Sequence, residues 1–292
     1  MKFKVLRKCL AKSFPFFLRK HIPRQILKHL YFDGVFEARL NGAKVTKLVH
    51  VGHQIENEIY WKGFEDSHEG QSLRLWTHLI KVYKPNVIWD IGANSGTYGL
   101  LAKAISPQSE IYFFEPIPSA VQLIHENLKV NRYEGKVFDF ALGDYDGKGE
   151  IYLPSGNNFP TSVTVNKNTT KEGGGFDVID IDVHRIDSLL AEEKLQLPQL
   201  VKIDVETYEP EVLSGFGSAF PKDCIFLIEI LENEIALRLQ EIFSPLNYVF
   251  YNINDRKKTF RQTEILSKSD FYNYLIIPRS IHQEFSKERV SR

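Results

Sequence analysis

Residues 86–99, NVIWDIGANSGTYG, form the stretch around which the rest of the chain is organised. The apolar run at 87–91 predicts a fully buried strand, and the acidic Asp90 lies near its end, before a turn of small residues. A helical pattern follows directly from Thr97. In open α/β sheets, ligands bind outside the carboxyl ends of the strands, at turns of this kind. The glycines let the backbone approach a bulky ligand, so the stretch predicts a ligand site.

The flanking sequence alternates between strand and helix patterns. We predict strands at 87–91, 110–114, 136–140, 200–203, 225–230, 248–253 and 274–277. We predict helices at 97–106, 119–130, 210–214 and 232–243. Alternation of this kind indicates a mostly parallel sheet covered by helices on both faces.

Three further segments lie outside this alternation. Residues 35–51 alternate around Asn41-Gly42, a pair typical of hairpin turns, and Ser67–Tyr83 predicts an amphipathic helix capped by Ser67. Between 143 and 185, two strand-like pieces at 150–153 and 177–183 flank a polar loop at 155–175. A loop of this length is typical of a lid or binding loop, so we expect a lid over the acceptor, with a passive insertion as the alternative.

Length and composition indicate a globular protein. The 292 residues are 43% hydrophobic, and no apolar run approaches the roughly 18 residues of a membrane span. Two cysteines, Cys9 and Cys224, form neither a disulfide framework nor a zinc spacing. We therefore expect a reducing, cytoplasmic environment.

The zero net charge conceals an asymmetry between the N-terminus and the rest. Nine of the 37 Lys and Arg residues lie within residues 1–30, whereas all 37 acidic residues follow, which leaves the remainder with a net charge of −9. An acidic body argues against a nucleic-acid substrate. The basic N-terminus predicts either a peripheral membrane contact or helices packed on the domain. We place an N-terminal helical and hairpin extension at 1–66 and the main domain at 67–292.

Acidic residues lie in or at the ends of several predicted strands, and they define a candidate site. They are Asp90, Glu115, Asp139, Asp204 and Glu229, with Glu206 close behind Asp204. Because the carboxyl ends of parallel strands meet at one edge, we expect most of these side chains to share a site. No P-loop motif is present.

The turn after the first strand distinguishes between cofactors. A dinucleotide fold requires glycine at the second position of its fingerprint so that the pyrophosphate can approach, whereas this chain has Asn94. Glu115 stands 23 residues after Gly92, where a ribose-binding acid is expected. S-adenosylmethionine has a ribose and no phosphate, and it fits this pattern better than a nicotinamide cofactor.

Several motifs together resemble the FkbM-like family of S-adenosylmethionine-dependent methyltransferases. They are DIGANSG at 90–96, FEP at 114–116, ALGD at 141–144, RIDSL at 185–189, KIDVE at 202–206 with Glu209, and LSG at 213–215. The set spans residues 67–278. The family pattern Asp-Val-Glu-Gly-x-Glu has glycine where this chain has Thr207.

The resemblance implies an α/β, Rossmann-like fold of the class I methyltransferase type. Its sheet has seven strands, mostly parallel, with the last antiparallel. The implied reaction is methyl transfer from S-adenosylmethionine to an oxygen, with a hydroxyl of a sugar, glycan or natural product as acceptor. The implied contacts are Asp90, Gly92, Asn94 and Gly96 for the methionine end, Glu115 for the ribose, Asp139 and Ala141 for the adenine, and Asp204 and Glu206 for the methyl group.

A hydroxyl acceptor benefits from a base that takes its proton. Glu206 is the first candidate and Asp204 the second, with Glu69 and His184 behind them; for His184 a structural role on a strand is favoured. We expect no metal, with a divalent cation between Asp204 and Glu229 as the alternative.

Two other functions remain alternatives. The first is a catalytically silent S-adenosylmethionine-binding or scaffold protein. The second is an NAD-dependent oxidoreductase, which Asn94 disfavours. We expect acceptor specificity to reside in residues 1–70 and 143–185, where no motif identifies the acceptor.

Overall fold

The computed structural model describes residues 22–23, 26, 30, 33–40, 46–154 and 176–282. The first 21 residues and the polar loop 155–175 lie outside this set. The predictions for most of the basic N-terminus (a membrane contact or packed helices) and for a lid at 155–175 therefore fall outside the described residues. Within the described ranges, no helix combines the length and apolar character needed to cross a bilayer.

Thirteen strands and seven α-helices make up the described part. In chain order they are β1 (Asp33–Ala38), β2 (Thr46–Val51), α1 (Gln54–Lys62), α2 (Gly70–Tyr83), β3 (Val87–Ile91), α3 (Thr97–Ile105), β4 (Glu110–Phe114), α4 (Pro118–Asn131), β5 (Lys136–Phe138), β6 (Ala141–Gly143), β7 (Gly147–Pro154), β8 (Phe176–Arg185), α5 (Ile186–Ala191), β9 (Leu200–Ile203), α6 (Glu209–Ser214), β10 (Ile225–Glu229), α7 (Asn233–Phe243), β11 (Tyr248–Asn254), β12 (Thr259–Thr263) and β13 (Asn273–Pro278). Short 3-10 turns lie at Phe64–Asp66 and Gly217–Ala219.

Eight strands form the main sheet, in the order β12-β11-β13-β10-β9-β3-β4-β5. The five strands from β5 to β10 are parallel, whereas β13 runs antiparallel to both β10 and β11. This arrangement confirms the predicted Rossmann-like sheet whose last strand is antiparallel, but the sheet has eight strands where seven were predicted, and β12 also runs against the parallel strands. The eighth strand, β12, was not predicted; it pairs with the edge of β11, and its side chains are half-buried or exposed.

Successive side chains of each strand point to opposite faces of the sheet. Both faces are apolar, and helices cover each of them. Ile88 and Phe113 pack with Trp76 of α2 and Leu101 of α3 in one core. The adjacent residues of the same strands, Trp89 and Tyr112, join a second core with Val212 of α6 and Leu239 of α7. All five residues of β3 are buried, as expected for a central parallel strand.

The N-terminal hairpin is part of the same body as the sheet. Strands β1 and β2 pair antiparallel with Phe36 opposite Leu48, as the alternation predicted, while the turn at 41–45 lies outside the described residues. Phe36 and Leu48 share a core with Trp76. Buried Asn127 of α4 joins the hairpin to the turn after β3: its Oδ1 accepts from the Val49 N–H at 2.7 Å, and its Nδ2 donates to the Ser95 carbonyl at 2.9 Å.

The segment 143–185 forms a small second sheet. Strands β7 and β8 pair antiparallel, and β6 runs parallel to β8. The two strand-like pieces predicted at 150–153 and 177–183 lie within β7 and β8.

One predicted helix cap is wrong. Helix α2 begins at Gly70 with Glu69 as its N-cap residue and no side-chain cap, while Ser67 donates its hydroxyl hydrogen bond to the Phe64 carbonyl at 2.7 Å. The helix starts later because the chain first closes a tight turn, in which a Cβ on Gly70 would lie 2.3 Å from the Glu65 carbonyl oxygen.

Candidate active site

A cavity of about 610 Å³ lies at the carboxyl ends of β3, β4, β9 and β10. This is the edge where open α/β sheets bind ligands. Seven of the nine residues predicted for the site line the cavity: Asp90, Gly92, Asn94, Glu115, Ala141, Asp204 and Glu206.

The other two predicted residues lie elsewhere. Gly96 is the N-cap of α3 with φ of +79°, so it shapes the turn from outside the cavity lining. Asp139 is exposed and lines a neighbouring groove of about 590 Å³ between α4 and β8. Phe140, the residue after Asp139, lines the main cavity instead.

The turn after β3 is shaped by three residues of left-handed backbone, Gly92 (φ +71°), Asn94 (φ +52°) and Gly96. A Cβ on Gly92 would lie 1.8 Å from the Asp204 carbonyl oxygen, so only glycine lets the loops after β3 and β9 meet. Asparagine tolerates the left-handed region, which explains how the second position of the turn carries a side chain.

Glu115 is held in place by the backbone on two sides. Its Oε2 accepts from the Asn94 N–H at 2.8 Å, and its Oε1 accepts from the Ile117 N–H at 2.9 Å. The residue is 4% exposed, and burial raises the pKa of its carboxyl to about 7. Each carboxylate oxygen has a second lone pair, so the group is able to accept further hydrogen bonds from a ligand.

Asp90 joins the end of β3 to the start of α3. Its Oδ2 accepts from the Gly99 N–H at 2.8 Å, and burial raises the pKa of the carboxyl to about 7. One oxygen therefore holds the turn while the residue lines the cavity.

A buried lysine, Lys202, lies at the centre of the acidic edge. Its Nζ is 3.1 Å from Asp204 Oδ2 and 3.4 Å from Asn273 Oδ1, and it lies 5.4 Å from the centre of the Tyr98 ring. Burial by itself would lower the pKa of Lys202, but Asp204 and Glu69 outweigh it and raise the pKa well above its ordinary value. Sequence reasoning assigned no role to this residue, although a lysine inside the apolar strand Leu200–Ile203 was a signal.

Three carboxylates converge beside Lys202. Oxygens of Asp204, Glu206 and Glu229 all lie within 4.8 Å of one another. Burial, then the charge of Asp204, raises the pKa of Glu206 to about 8 and that of Glu229 well above its ordinary value. Oxygen ligands at this spacing could hold a divalent cation, and the Lys202 ammonium already neutralises Asp204.

The rim of the cavity comes from α1 and the start of α2. Glu69 accepts from the Tyr98 hydroxyl at 3.0 Å and from Asn273 Nδ2 at 3.2 Å. His68 lies 3.1 Å from Glu58 and 3.7 Å from Glu69. Desolvation lowers the pKa of His68, but its bond to Glu58 and the charge of Glu69 outweigh this and raise the pKa to about 9.

His184, the fourth candidate base, does not line the cavity. His184 packs edge-on against the Phe140 ring at 4.6 Å and lies 3.6 Å from Asp146.

Sequence reasoning missed a larger set that does line the cavity: Gln54, Ile55, Glu58, His68, Tyr98, Phe140, Tyr208, Leu231 and Tyr272. No motif marks these residues, because they come from separate elements that meet only in the folded chain.

The model of the methyltransferase FkbM domain matches residues 90–264, more than half of the chain. The chain belongs to the FkbM methyltransferase family. This confirms the family predicted from the motifs, and the chain is therefore assigned as a methyltransferase.

Curated relatives of this FkbM-family chain include methyltransferases from archaea and bacteria. It is 29% identical over 153 residues to the hexuronic acid methyltransferase AglP of Haloferax volcanii, covering 52% of this chain and 59% of AglP. It is 26% identical to the 31-O-demethyl-FK506 methyltransferase FkbM of Streptomyces tacrolimicus (64% of this chain, 81% of that protein). It is also 26% identical to the 2-O-methyltransferase NoeI of Sinorhizobium fredii (56% and 72%).

Solved structures with a similar fold include two O-methyltransferases. One, from Bacillus cereus in complex with SAH, has 9% identity and a TM-score of 0.41 and covers 70% of this chain and 79% of its own. The other, TomG from Streptomyces achromogenes in complex with SAM, has 11% identity and a TM-score of 0.41 and covers 72% and 80%. These likenesses are distant, and the fold assignment rests on the strand order described above.

Proposed function

We propose that this FkbM-family protein is an S-adenosylmethionine-dependent O-methyltransferase whose acceptor is a hydroxyl of a sugar, a glycan or a natural product. The observation that carries the proposal is Glu115, a buried carboxylate fixed by two backbone N–H groups in the same cavity as the Asp204–Glu206–Glu229 cluster. The names of two relatives support an oxygen acceptor: FkbM is a 31-O-demethyl-FK506 methyltransferase, and NoeI is a 2-O-methyltransferase.

The residues of the cavity suit the ribose and the cationic end of this cofactor. Glu115 has lone pairs left to accept from two ribose hydroxyls, in charge-assisted hydrogen bonds. Asn94 stands where a pyrophosphate would need glycine, and this disfavours a dinucleotide. The acidic edge beside Lys202 suits a cationic group. The bound cofactor supplies an electrophilic methyl carbon on a sulfonium.

The chain's own residues then align the acceptor and take up its proton. Alignment of the reacting atoms contributes most of the rate enhancement in such transfers. Glu206 lines the cavity next to Asp204, and we assign it the role of proton acceptor. Asp204 is held by Lys202 and is less free to accept a proton.

The test of the cofactor is Glu115→Ala, measured by calorimetry with S-adenosylhomocysteine. We expect the wild type to bind and the variant to bind at least about ten-fold more weakly, because charge-assisted hydrogen bonds contribute about 1.5–3 kcal/mol each. The matched control is Glu110→Ala at the exposed, opposite end of the same strand, which should leave the affinity unchanged.

The acceptor is identified by offering cell glycans, nucleotide sugars and small-molecule extracts to the protein with methyl-labelled cofactor. Label on an oxygen of a saccharide or of an extracted natural product supports the proposal. Cofactor binding without label in any fraction would instead favour the silent binding protein, and binding of NAD in place of S-adenosylhomocysteine would refute the cofactor assignment.

A further inference from the structure

The loop after β9 contains two consecutive residues with left-handed backbone, Glu206 (φ +55°) and Thr207 (φ +81°). A β-branched residue rarely adopts positive φ, because its side chain collides with the neighbouring backbone. Thr207 occupies the position at which the motif Asp-Val-Glu-Gly-x-Glu has glycine. The chain therefore keeps the backbone shape that glycine would adopt without strain, and other contacts must hold it there.

Glu209 makes the contacts that hold this loop. Its Oε1 accepts from the Val205 N–H at 3.1 Å and from the Thr207 N–H at 3.3 Å. These two amides flank Glu206, which lines the cavity, whereas Glu209 itself does not line it.

The environment of Glu209 is costly for a carboxyl group. The residue is fully buried, and its Oε2 has no hydrogen-bond partner among the described residues. A buried polar atom without a partner lowers stability. A purely structural position would be filled at lower cost by an apolar side chain, so this carboxyl points to a task in the loop.

We propose that Glu209 is a positioning residue, whose buried carboxyl holds the strained turn at Glu206–Thr207 and so directs Glu206 into the cavity. The inference rests on the proposed function, because Glu206 matters as the group that faces the methyl donor. Glu209 acts through the backbone and contacts neither cofactor nor acceptor.

The position of Glu206 is measurable without knowing the acceptor. S-adenosylmethionine carries a positive charge at sulfur, whereas S-adenosylhomocysteine is neutral there. The ratio of their affinities therefore reports on negative charge close to the sulfur. Burial raises the pKa of Glu206 to about 8, so calorimetry at pH 9 measures the ratio with this carboxylate ionised.

Four single variants and one double variant test the inference. We expect Glu209→Ala to reduce the preference for S-adenosylmethionine about ten-fold and Glu209→Gln, which retains an oxygen acceptor, to change it less than two-fold. Glu206→Gln should lose the same preference, and combining it with Glu209→Ala should have no further effect, because both act through one group. Glu211→Ala is the control: Glu211 lies on the same helix as Glu209 and pairs with Arg238 of α7, and its loss should leave the ratio unchanged. A full preference in Glu209→Ala alongside a lost preference in Glu206→Gln would overturn the proposal.

A stability cycle tests the strained turn independently of any ligand. Thr207→Gly should raise the melting temperature by a few degrees in the wild type, since it relieves the left-handed strain. In the Glu209→Ala background it should bring no gain, because the turn has already relaxed. Equal gains in both backgrounds would overturn the proposal. If Glu209→Ala does not fold, the cycle is run with Glu209→Gln, which keeps an oxygen acceptor for the Val205 and Thr207 N–H groups: there Thr207→Gly should give the full wild-type gain, and no gain would overturn the proposal. A wild type that binds neither ligand would refute the proposed function, while this cycle would still decide the role of Glu209.

Discussion

Glu206 is the residue whose ionisation controls the proposed chemistry. Burial and the neighbouring charges of Asp204 and Glu209 raise the pKa of its carboxyl to about 8. Only the ionised form accepts a proton, so kcat/KM, which reports on the free enzyme, should rise with pH and level off above about pH 8.

The variant Glu206→Gln tests this residue. We expect kcat to fall about 10²–10⁴-fold and the acidic limb of the pH profile to disappear, because the titrating base is gone. Asp204→Asn should move the limb to lower pH, since the charge of Asp204 raises the pKa of Glu206. The measurement is methyl transfer from labelled cofactor between pH 6 and 10. An acidic limb that persists in Glu206→Gln would assign the base to another group.

At the scale of elements, helix α4 connects the hairpin to the cofactor turn. Asn127 satisfies the Val49 N–H and the Ser95 carbonyl, both with side-chain atoms of one fully buried residue. The hairpin at β1–β2 thereby supports the same turn that holds Glu115 through the Asn94 N–H.

Replacing this connection should weaken both stability and binding. We expect Asn127→Ala to lower the free energy of unfolding by about 2–4 kcal/mol, because two buried backbone groups lose their partners, and to weaken binding of S-adenosylhomocysteine. Asn131→Ala is the matched control: Asn131 bonds to the Lys47 backbone near the surface, where water replaces the lost contacts. Chemical denaturation and calorimetry measure the two effects. Equal losses in the two variants would contradict a special role for Asn127.

Helix α2 shows why local sequence predicted some elements better than their ends. Its apolar stripe, including Leu73, Trp76 and Leu79, repeats at helical spacing and is buried as predicted. Its start was misplaced because Ser67 closes the preceding turn, and that turn depends on the contact of Gly70 with the Glu65 carbonyl. The period of a helix is visible in sequence, whereas the folding of the chain before it is not.

For the molecule as a whole, buried carboxyl groups with raised pKa values cluster in and beside the cavity. Burial raises the pKa of Asp90, Glu115 and Glu209 to about 7 and that of Glu206 to about 8. A carboxyl whose pKa is higher in the folded state stabilises the fold below its unfolded pKa and loses that contribution as pH rises through the folded pKa.

The ligand-free protein should therefore lose stability between about pH 5 and pH 8. We expect the melting temperature to fall by several degrees over this range, and His68, with its raised pKa, acts in the same direction above about pH 6.5. Saturating S-adenosylmethionine should stabilise the protein more at pH 8 than at pH 6, because its positive charge favours the ionised carboxyls. Thermal melts at constant ionic strength measure both trends. A melting temperature that rises from pH 5 to pH 8 would show that these groups do not control the pH dependence.

Local sequence patterns were enough to predict the alternation of strands and helices, the family and the turn after the first strand. These features depend on neighbouring residues: the buried run at 87–91 ends in a glycine turn, and Glu115 follows at the end of the next strand. Only the folded chain shows that Lys202 lies beside Asn273, that Asn127 joins the hairpin to Ser95, and that Asp139 lies outside the cavity. The physical reason is distance along the chain. Residues tens of positions apart meet only when the sheet forms, and no local pattern records which side chains share that edge.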